Sequence, residues 1–246
     1  MSSDTHARPP VRALLFDTFG TVVDWRSGIT REVAAFLVRH GLDWDAAEVA
    51  DAWRALYQPA MEPVRAGRRP FVRLDVIHRE NLDQLLRDRG VAPERFAKAE
   101  LDDLNLAWHR LDPWPDTVEG LRRLRERFLI APLSNGNIAL LTNMAKRAGL
   151  PWDCILGAEV VRNYKPNPRT YLDTAEVLGL QPSECMMVAA HNDDLAAAAA
   201  VGLRTAFILR TAEHGPNQST DLAAEQAWDH VAGDLVELAG MLRRLP

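Results

Sequence analysis

The stretch at residues 13–22, Ala-Leu-Leu-Phe-Asp-Thr-Phe-Gly-Thr-Val, constrains the fold more than any other part of the sequence. Its apolar first half has no polar residue on either face, which is typical of a strand buried in the middle of a parallel sheet. Ligands of open α/β sheets bind beyond the carboxyl ends of such strands, and Asp17 directly follows this one. The stretch alone leaves two interpretations of Asp17 open: a reacting carboxylate, or a residue that caps the following turn.

Two different patterns follow this strand. Helical spacing of apolar residues comes first, in four segments: 29–40, 46–66, 71–89 and 93–108. Strands then alternate with helices from Pro113 onward, and the predicted strands are 128–133, 155–156, 186–190 and 205–209, with a last helix over 232–244. The alternation predicts an α/β fold with a doubly wound parallel sheet, and the helical segments predict a bundle inserted into it. Residues 210–231 are loop-like and are a candidate cover for the site.

Composition excludes several classes of protein. A net charge of −5 gives no reason to expect nucleic acid or a membrane surface as a partner. Cys154 and Cys185 are the only cysteines, which indicates buried thiols in a reducing cytoplasm and not a disulfide framework. Residues 1–10 are polar and resemble a frayed start more than a signal peptide, and no apolar run is long enough to span a bilayer.

Polar side chains recur where the predicted strands end. Asp17 follows the first strand, Ser134 and Asn135 follow the strand at 128–133, and residues 191–194 (His-Asn-Asp-Asp) follow the strand at 186–190. Lys165 lies in a loop between them. Because the carboxyl ends of parallel strands meet at one edge of a sheet, these clusters are expected to converge in space.

Residues 17–21 (Asp-Thr-Phe-Gly-Thr), 134–136 (Ser-Asn-Gly), the Lys165-Pro pair and Asp194 resemble the four motifs of the haloacid dehalogenase superfamily. The resemblance covers nearly the whole chain. It implies a Rossmann-like core of residues 11–24 and 110–246, with a helical cap of residues 25–109.

Most members of that superfamily are magnesium-dependent phosphatases, and this sequence departs from their pattern. Phe19 stands where they carry a second Asp that protonates the leaving oxygen, and the segment Ala-Ala-His at 189–191 replaces their magnesium-binding Asp. Magnesium needs oxygen ligands, so two of the expected carboxylates are missing. We therefore expect no metal and no other cofactor, and displacement at carbon in place of phosphoryl transfer.

The Trp53-Arg54 pair on the second cap helix is similar to a Trp-Arg pair of the L-2-haloacid dehalogenases (haloacid dehalogenase type II). In that family the arginine receives the leaving halide, and an arginine keeps its charge at any working pH. Taken alone, Arg54 also fits an ordinary surface arginine beside a core tryptophan. Together with the other motifs, the halide-binding role is favoured.

The resemblance implies a covalent mechanism on a small-molecule haloacid. Asp17 would attack C2 of an (S)-2-haloacid and expel halide toward Arg54 and Asn135, and water would then hydrolyse the aspartyl ester, so that C2 is inverted once. The resemblance also implies that Ser134 binds the substrate carboxylate, that Lys165 keeps Asp17 ionised and that Thr21 holds Asp17 in place. Asp194 together with His191 would position or activate the hydrolytic water. Phe19 and Tyr171 would line the substrate pocket.

Three residues depart from the dehalogenase pattern as well. Phe19 stands where a tyrosine is common, His191 where asparagine is expected, and Ala189 where a serine is common. The segment at residues 189–194, together with residues 213–216 (Glu-His-Gly-Pro), resembles a subgroup in which some members also cleave fluoroacetate.

Two rival functions stay open at this point. One is a small-molecule phosphatase of the same fold with an atypical metal site, and the other is a non-catalytic protein that binds a ligand in the cleft. The simultaneous presence of Asp17, Arg54, Ser134, Lys165 and Asp194 argues against the second. The resemblance also implies a homodimer.

Overall fold

A computed structural model describes residues 9–243 of the chain. The predicted frayed start at residues 1–10 lies largely outside the described residues, as does Arg244 at the end of the predicted last helix. Among residues 9–243, no helix is both long and apolar enough to cross a membrane.

Six parallel strands form the central sheet within the described part of the chain, in the order β5-β4-β1-β6-β7-β8. The strands are β1 (Ala13–Phe16), β4 (Leu129–Ser134), β5 (Leu156–Gly157), β6 (Cys185–Ala189), β7 (Arg204–Ile208) and β8 (His230–Ala232). Helix α7 (Ile138–Ala148) follows β4, α8 (Ala158–Val161) and α9 (Pro168–Val177) follow β5, α10 (Asn192–Ala200) follows β6, and α11 (Leu235–Arg243) follows β8. The connection from β7 to β8 is a loop with a 3₁₀ turn at Gly215–Asn217. The predicted doubly wound parallel sheet is confirmed.

Side chains of β1 alternate between two separate hydrophobic clusters. Leu14 and Phe16 belong to one cluster, and Ala13 and Leu15 belong to the other. All four residues are fully buried. Because successive strand residues point to opposite faces, the sheet is covered on both sides, which accounts for the unbroken apolar run in the sequence.

The segment between β1 and the rest of the sheet is helical. It contains α1 (Trp25–His40), α2 (Ala46–Ala55), α3 (Tyr57–Arg65), α4 (Leu74–Asp88) and α5 (Lys98–Asn105), with 3₁₀ turns at Pro93–Arg95 and Leu106–His109. A short antiparallel pair, β2 (Val23–Asp24) with β3 (Asp112–Pro113), precedes α1 and follows the last turn. The division of the chain into a core and a cap of residues 25–109 remains a prediction. Strand β2 lies just before residue 25, and β3 lies shortly after residue 109. After β3, α6 (Thr117–Arg125) leads back into the sheet.

Several predicted boundaries were wrong. The single helix predicted over 46–66 is interrupted at Leu56, because Pro59 has no N–H to donate to the Ala55 carbonyl. The predicted helix over 71–89 begins only at Leu74, and the one over 93–108 is a short helix between two 3₁₀ turns.

Three short strands were missed. β2 and β3 have two residues each and β8 has three, too few to show a period in the sequence. Ala232 pairs with Ile208 in β8, so the last helix starts three residues later, where the Asp234 carboxylate accepts the Glu237 N–H at 2.7 Å.

Candidate active site

Asp17 lies at the carboxyl end of β1, the strand between β4 and β6. Its N–H donates to the Val188 carbonyl of β6 at 3.0 Å, which holds the residue at the sheet edge. The carboxylate has three cationic or donor neighbours. Lys165 Nζ is 2.8 Å from Oδ1, while Thr21 Oγ1 is 2.8 Å and His191 Nδ1 3.2 Å from Oδ2.

These neighbours decide the charge of Asp17. Burial on its own raises the pKa of this carboxyl, but Lys165 and His191 outweigh it and hold the pKa well below the usual range for aspartate. Thr21 is itself fixed, since its hydroxyl accepts the Ala190 N–H at 2.9 Å. Asp17 is therefore an ionised, immobilised carboxylate.

Lys165 lies between two carboxylates. Its ammonium is 2.5 Å from Asp194 Oδ2 as well as within reach of Asp17, and its backbone N–H donates to Asn135 Oδ1 at 2.8 Å. Burial lowers the pKa of Lys165, but Asp17 and Asp194 together raise it by more than burial lowers it. The ammonium therefore stays charged. Lys165 thus carries positive charge into a buried site that holds two acids.

Asp194 has both oxygens engaged. Lys165 binds Oδ2, and the Tyr171 hydroxyl donates to Oδ1 at 2.6 Å. Burial raises the pKa of Asp194 most, with Asp17 adding to the rise and Lys165 opposing it. The Tyr171 hydroxyl pKa is raised by burial and by this carboxylate, so Tyr171 is a hydrogen-bond donor here.

His191 connects Asp17 to a residue that sequence reasoning did not assign, Glu213. His191 Nε2 is 2.9 Å from Glu213 Oε2, and Trp25 Nε1 donates to Glu213 Oε1 at 2.9 Å. Glu213 is 1% exposed. A Cβ at Gly20 would lie 2.1 Å from Glu213 Oε1, so a glycine is needed there. The only signal in the sequence was the loop at 213–216, which suggested a subgroup and no role for the carboxylate.

Arg54 is enclosed by aromatic rings from both cap and core. Its guanidinium carbon lies 4.1 Å from the ring centroid of Tyr57, 5.3 Å from that of Trp25 and 5.6 Å from that of Phe19. Nη1 is buried and has no hydrogen-bond partner among residues 9–243. The rings stabilise the cation through their faces without occupying its N–H groups. Arg54 is therefore a desolvated cation with a free donor.

A cavity of about 530 Å³ separates the cap from the carboxyl edge of the sheet. Eight predicted site residues line it: Asp17, Phe19, Arg54, Asn135, Lys165, Tyr171, His191 and Asp194. Residues 220, 221 and 225 line it as well, which places part of the predicted covering loop at its rim.

The two other predicted site residues lie behind the cavity wall. Thr21 and Ser134 are fully buried and are not among the lining residues. Ser134 Oγ accepts the Gly136 N–H at 3.1 Å, so its hydroxyl shapes the loop after β4. Of the nearby aromatic residues, Tyr57 also lines the cavity, whereas Phe71 and Tyr164 pack on each other with ring centroids 5.3 Å apart and do not line it.

The residues present do not fit a magnesium centre of the phosphatase kind. Within residues 9–243, no group of three or more His, Cys, Asp and Glu side chains is arranged to hold a metal ion. The Lys165 ammonium contacts both Asp17 and Asp194, and the residue two positions after Asp17 is the buried Phe19, whose ring offers no oxygen ligand.

Comparison with known proteins agrees with this geometry. A family model described as haloacid dehalogenase-like hydrolase matches residues 11–202. The crystal structure of the defluorinating L-2-haloacid dehalogenase Rha0230 is 57% identical, with a TM-score of 0.94 and 95% of each chain covered. The L-2-haloacid dehalogenase PA0810 is 47% identical, with a TM-score of 0.91, and 96% of this chain and 100% of that one are covered.

A curated relative extends the match. The (S)-2-haloacid dehalogenase 1 of Pseudomonas sp. (strain CBS-3) is 28% identical over 239 residues, which are 96% of this chain and 98% of that protein. The identity and coverage of these matches leave no large part of the chain unaccounted for. The chain belongs to the haloacid dehalogenase-like hydrolases and, among them, to the L-2-haloacid dehalogenases.

Proposed function

We propose that the protein hydrolyses short (S)-2-haloacids to 2-hydroxyacids through an ester on Asp17, with inversion at C2. The observation that carries the proposal is the pairing of two groups across one cavity. Asp17 is ionised on the core side, and Arg54 offers a free, desolvated N–H on the cap side. Such a pair suits a reaction in which a carboxylate attacks carbon and an anion leaves.

In the first half-reaction, an oxygen of Asp17 forms a bond to C2 while the carbon–halogen bond breaks. The electron pair leaves with the halide, which Arg54 receives with Asn135 nearby. Lys165, His191 and Thr21 hold the attacking carboxylate in one orientation, which lowers the entropic cost of reaching the transition state. Backbone N–H groups of the loop after β4 hold the substrate carboxylate, and Ser134 acts by shaping that loop.

In the second half-reaction, water attacks the carbonyl carbon of the ester. The C–O bond to C2 stays intact, so the configuration changes only in the first step. Asp194, which shares the Lys165 ammonium with Asp17, and His191, which contacts Asp17 directly, are the candidates to accept the water's proton. Cleavage of the bond between the carbonyl carbon and the oxygen attached to C2 then restores the Asp17 carboxylate and frees the 2-hydroxyacid.

Phe19 supports carbon over phosphorus as the site of attack. Its ring is buried against Arg54 and has an edge contact with Tyr57 at 6.4 Å between centroids, so no proton donor stands at that point of the cavity. Chloride, bromide and iodide leave without a proton, whereas a phosphate ester benefits from a general acid.

Fluoroacetate belongs to the proposed substrates. A relative that is 57% identical is described as defluorinating. Fluoride is the poorest leaving group among the halides and depends most on hydrogen bonding, and here Arg54 has an unused N–H in a desolvated setting.

Halide release is the direct test. The panel is fluoro-, chloro- and bromoacetate and both enantiomers of 2-chloropropionate, all with a chelator present and with Asp17→Asn as the control. We expect release from the monohaloacetates and from (S)-2-chloropropionate. Magnesium-dependent release of phosphate from p-nitrophenyl phosphate, without halide release, would contradict the proposal. Fluoride release no faster than with the Asp17→Asn variant would remove fluoroacetate alone.

Heavy-oxygen water tests the ester route. With enzyme in excess over substrate, the first turnover should place the label on Asp17 and not in the 2-hydroxyacid, because the product oxygen comes from the carboxylate. Label in the product of the first turnover would instead indicate direct attack of water on C2.

A further inference from the structure

His191 pairs with Glu213, a carboxylate to which the resemblance assigns no role, and the pair reaches the nucleophile. His191 Nδ1 faces Asp17 Oδ2 at 3.2 Å, and its Nε2 faces Glu213 Oε1 and Oε2 at 3.1 and 2.9 Å. The imidazole is thus placed between two carboxylates, one of which reacts. The other is Glu213. Within residues 9–243 it forms no hydrogen bond with Asp17 or Lys165.

We propose that Glu213 is a positioning residue that keeps the Nε2 proton on His191, so that Nδ1 is the atom that takes a proton from the water attacking the Asp17 ester. The proposal deepens the proposed function and rests on it, since it needs the ester to form. It makes His191, and not Asp194, the base of the second half-reaction.

The contacts of Asp194 favour this division of roles. Both of its oxygens already accept hydrogen bonds, from Lys165 at 2.5 Å and from Tyr171 at 2.6 Å. Each oxygen keeps a second lone pair for a water, but both donors oppose the rise in the pKa of Asp194 and so weaken it as a base. His191 Nδ1, by contrast, faces the Asp17 carboxylate itself, which the first half-reaction converts to an ester.

Glu213 is held firmly enough to act on its neighbour. Trp25 Nε1 of the first cap helix donates to Oε1, and the absence of a side chain at Gly20 makes room for the carboxylate. The anchor comes from a residue 188 positions away in the sequence. A buried carboxylate fixed in this way binds one tautomer of a facing imidazole, the one with hydrogen on Nε2.

The charged and titratable groups around His191 come from every side of it. Asp17 faces it from the loop after β1 and Glu213 from the loop after β7, while His214 Nε2 is 3.6 Å from Glu213 Oε1. Arg54 on the cap acts on Glu213, and Lys165 acts through Asp17. Burial lowers the pKa of His191, but the two carboxylates outweigh burial and raise it well above the usual value.

Formation of the ester changes the influence of Asp17 on the pKa of His191 before water attacks. In the resting protein both carboxylates are charged, and His191 carries a proton on each nitrogen. Esterification removes the charge of Asp17, so that only Glu213 still raises the pKa of His191. The Nδ1 proton, which no longer faces a charged carboxylate, then leaves to solvent, while the Nε2 proton remains on its hydrogen bond to Glu213.

The second half-reaction then balances. Water gives one proton to Nδ1 as its oxygen bonds to the ester carbonyl carbon of Asp17. The tetrahedral intermediate breaks the bond between that carbon and the oxygen attached to C2, and the departing oxygen takes the remaining proton of the attacking water. This leaves the Asp17 carboxylate, the 2-hydroxyacid and doubly protonated His191. Over the whole cycle one halide and one proton are released.

Glu213→Gln is the decisive variant. A glutamine at this position keeps the shape and the acceptor for Trp25, but its NH₂ group favours the His191 tautomer with hydrogen on Nδ1. In rapid-quench single turnovers with chloroacetate, we expect chloride release within about threefold of the unmodified protein. Glycolate formation should slow by about 100-fold. The intact protein should then carry the mass of one added carboxymethyl group.

Controls separate this role from a structural one. Glu119→Gln makes the same charge change at an exposed residue of α6 that does not line the cavity, and it should leave both steps within about twofold. Glu213→Asp, which retains a carboxylate, should recover part of the glycolate rate. Equal slowing of chloride release and glycolate formation in Glu213→Gln, or no slowing of either, would overturn the proposal.

The pH dependence of glycolate formation supplies a second readout. This step should rise with pH as ester-bound His191 loses its Nδ1 proton. Loss of the Glu213 charge lowers the pKa of His191, so the rise should move to lower pH in Glu213→Gln even as its plateau falls. A profile that does not move would contradict the proposal. Absence of chloride release from the unmodified protein would instead defeat the proposed function itself.

Discussion

The two walls of the cavity hold charge in opposite ways. On the core wall, Asp17, Lys165 and Asp194 compensate one another through hydrogen bonds of 2.5–2.8 Å. On the cap wall, Arg54 is stabilised by ring faces and keeps a buried N–H without a partner in residues 9–243. On the core wall, hydrogen bonds fix the nucleophile in place. On the cap wall, aromatic faces stabilise a cation and leave its donors free for an anion.

Asp17→Asn, on the core wall, should cause the largest loss of activity. An amide cannot attack C2 as a carboxylate does, so we expect halide release to fall by at least about 10⁴-fold. Asparagine has nearly the same shape, and circular dichroism should therefore show an unchanged fold. Halide release above one tenth of the original rate would exclude Asp17 as the nucleophile.

Lys165→Met should have the second largest effect. It leaves Asp17 and Asp194 buried without their shared cation, and the loss of one partner of a buried pair costs about 3–5 kcal/mol. The pKa of Asp17 should rise toward its ordinary value, because Lys165 is the largest of the influences that lower it. The acidic limb of the halide-release profile should then move to higher pH.

Lys98→Met is the matched control for Lys165→Met. Lys98 pairs with Asp102 on the surface of α5, where its side chain is 84% exposed. Such a pair contributes less than about 1 kcal/mol. Equal losses of thermal stability in the two variants would show that the core pair is no stronger than a surface pair.

Arg54→Lys tests the cap wall. Lysine retains the charge but not the planar fork of donors or the stacking on Tyr57, so we expect about 100-fold slower halide release. The loss should be larger with fluoroacetate than with bromoacetate, because fluoride depends more on hydrogen bonding. Equal losses across the halides would place Arg54 away from the leaving group.

Tyr57→Leu should give the smallest effect. It removes the ring face that lies 4.1 Å from the Arg54 guanidinium carbon, an interaction of about 1–2 kcal/mol in a desolvated site. We expect a five- to thirty-fold loss of halide release, by the usual conversion of such free energies into rates. Tyr57→Phe keeps the ring and should lose less than about threefold; a loss as large as that of Tyr57→Leu would assign the effect to the hydroxyl.

Most of the sheet and the position of the nucleophile followed from local patterns. The apolar run before Asp17 predicted a central strand, and β1 does lie between β4 and β6. The helix break at Leu56 was also open to prediction, since Pro59 is visible in the sequence, whereas strands of two or three residues have too few positions to show a period.

Glu213 shows where local patterns fail. Nothing in a Glu-His-Gly-Pro loop indicates that its carboxylate will meet His191 and Trp25, which lie 22 and 188 positions away. Ser134 shows the reverse case: the motif predicted a side chain in the cavity, but the loop after β4 turns the hydroxyl toward Gly136. Which way a buried side chain points depends on packing and not on its position in a motif.

Local sequence patterns were enough to predict the class of fold and the set of side chains at the carboxyl edge, because alternating strands and helices show as short-range periodicity and parallel strands end at one edge. Only the tertiary structure decided how those side chains pair. The carboxylate between His191 and Trp25 and the rings around Arg54 come from distant segments. Hydrogen bonds and ring contacts act over a few ångströms, so they exist only after the chain has brought these segments together.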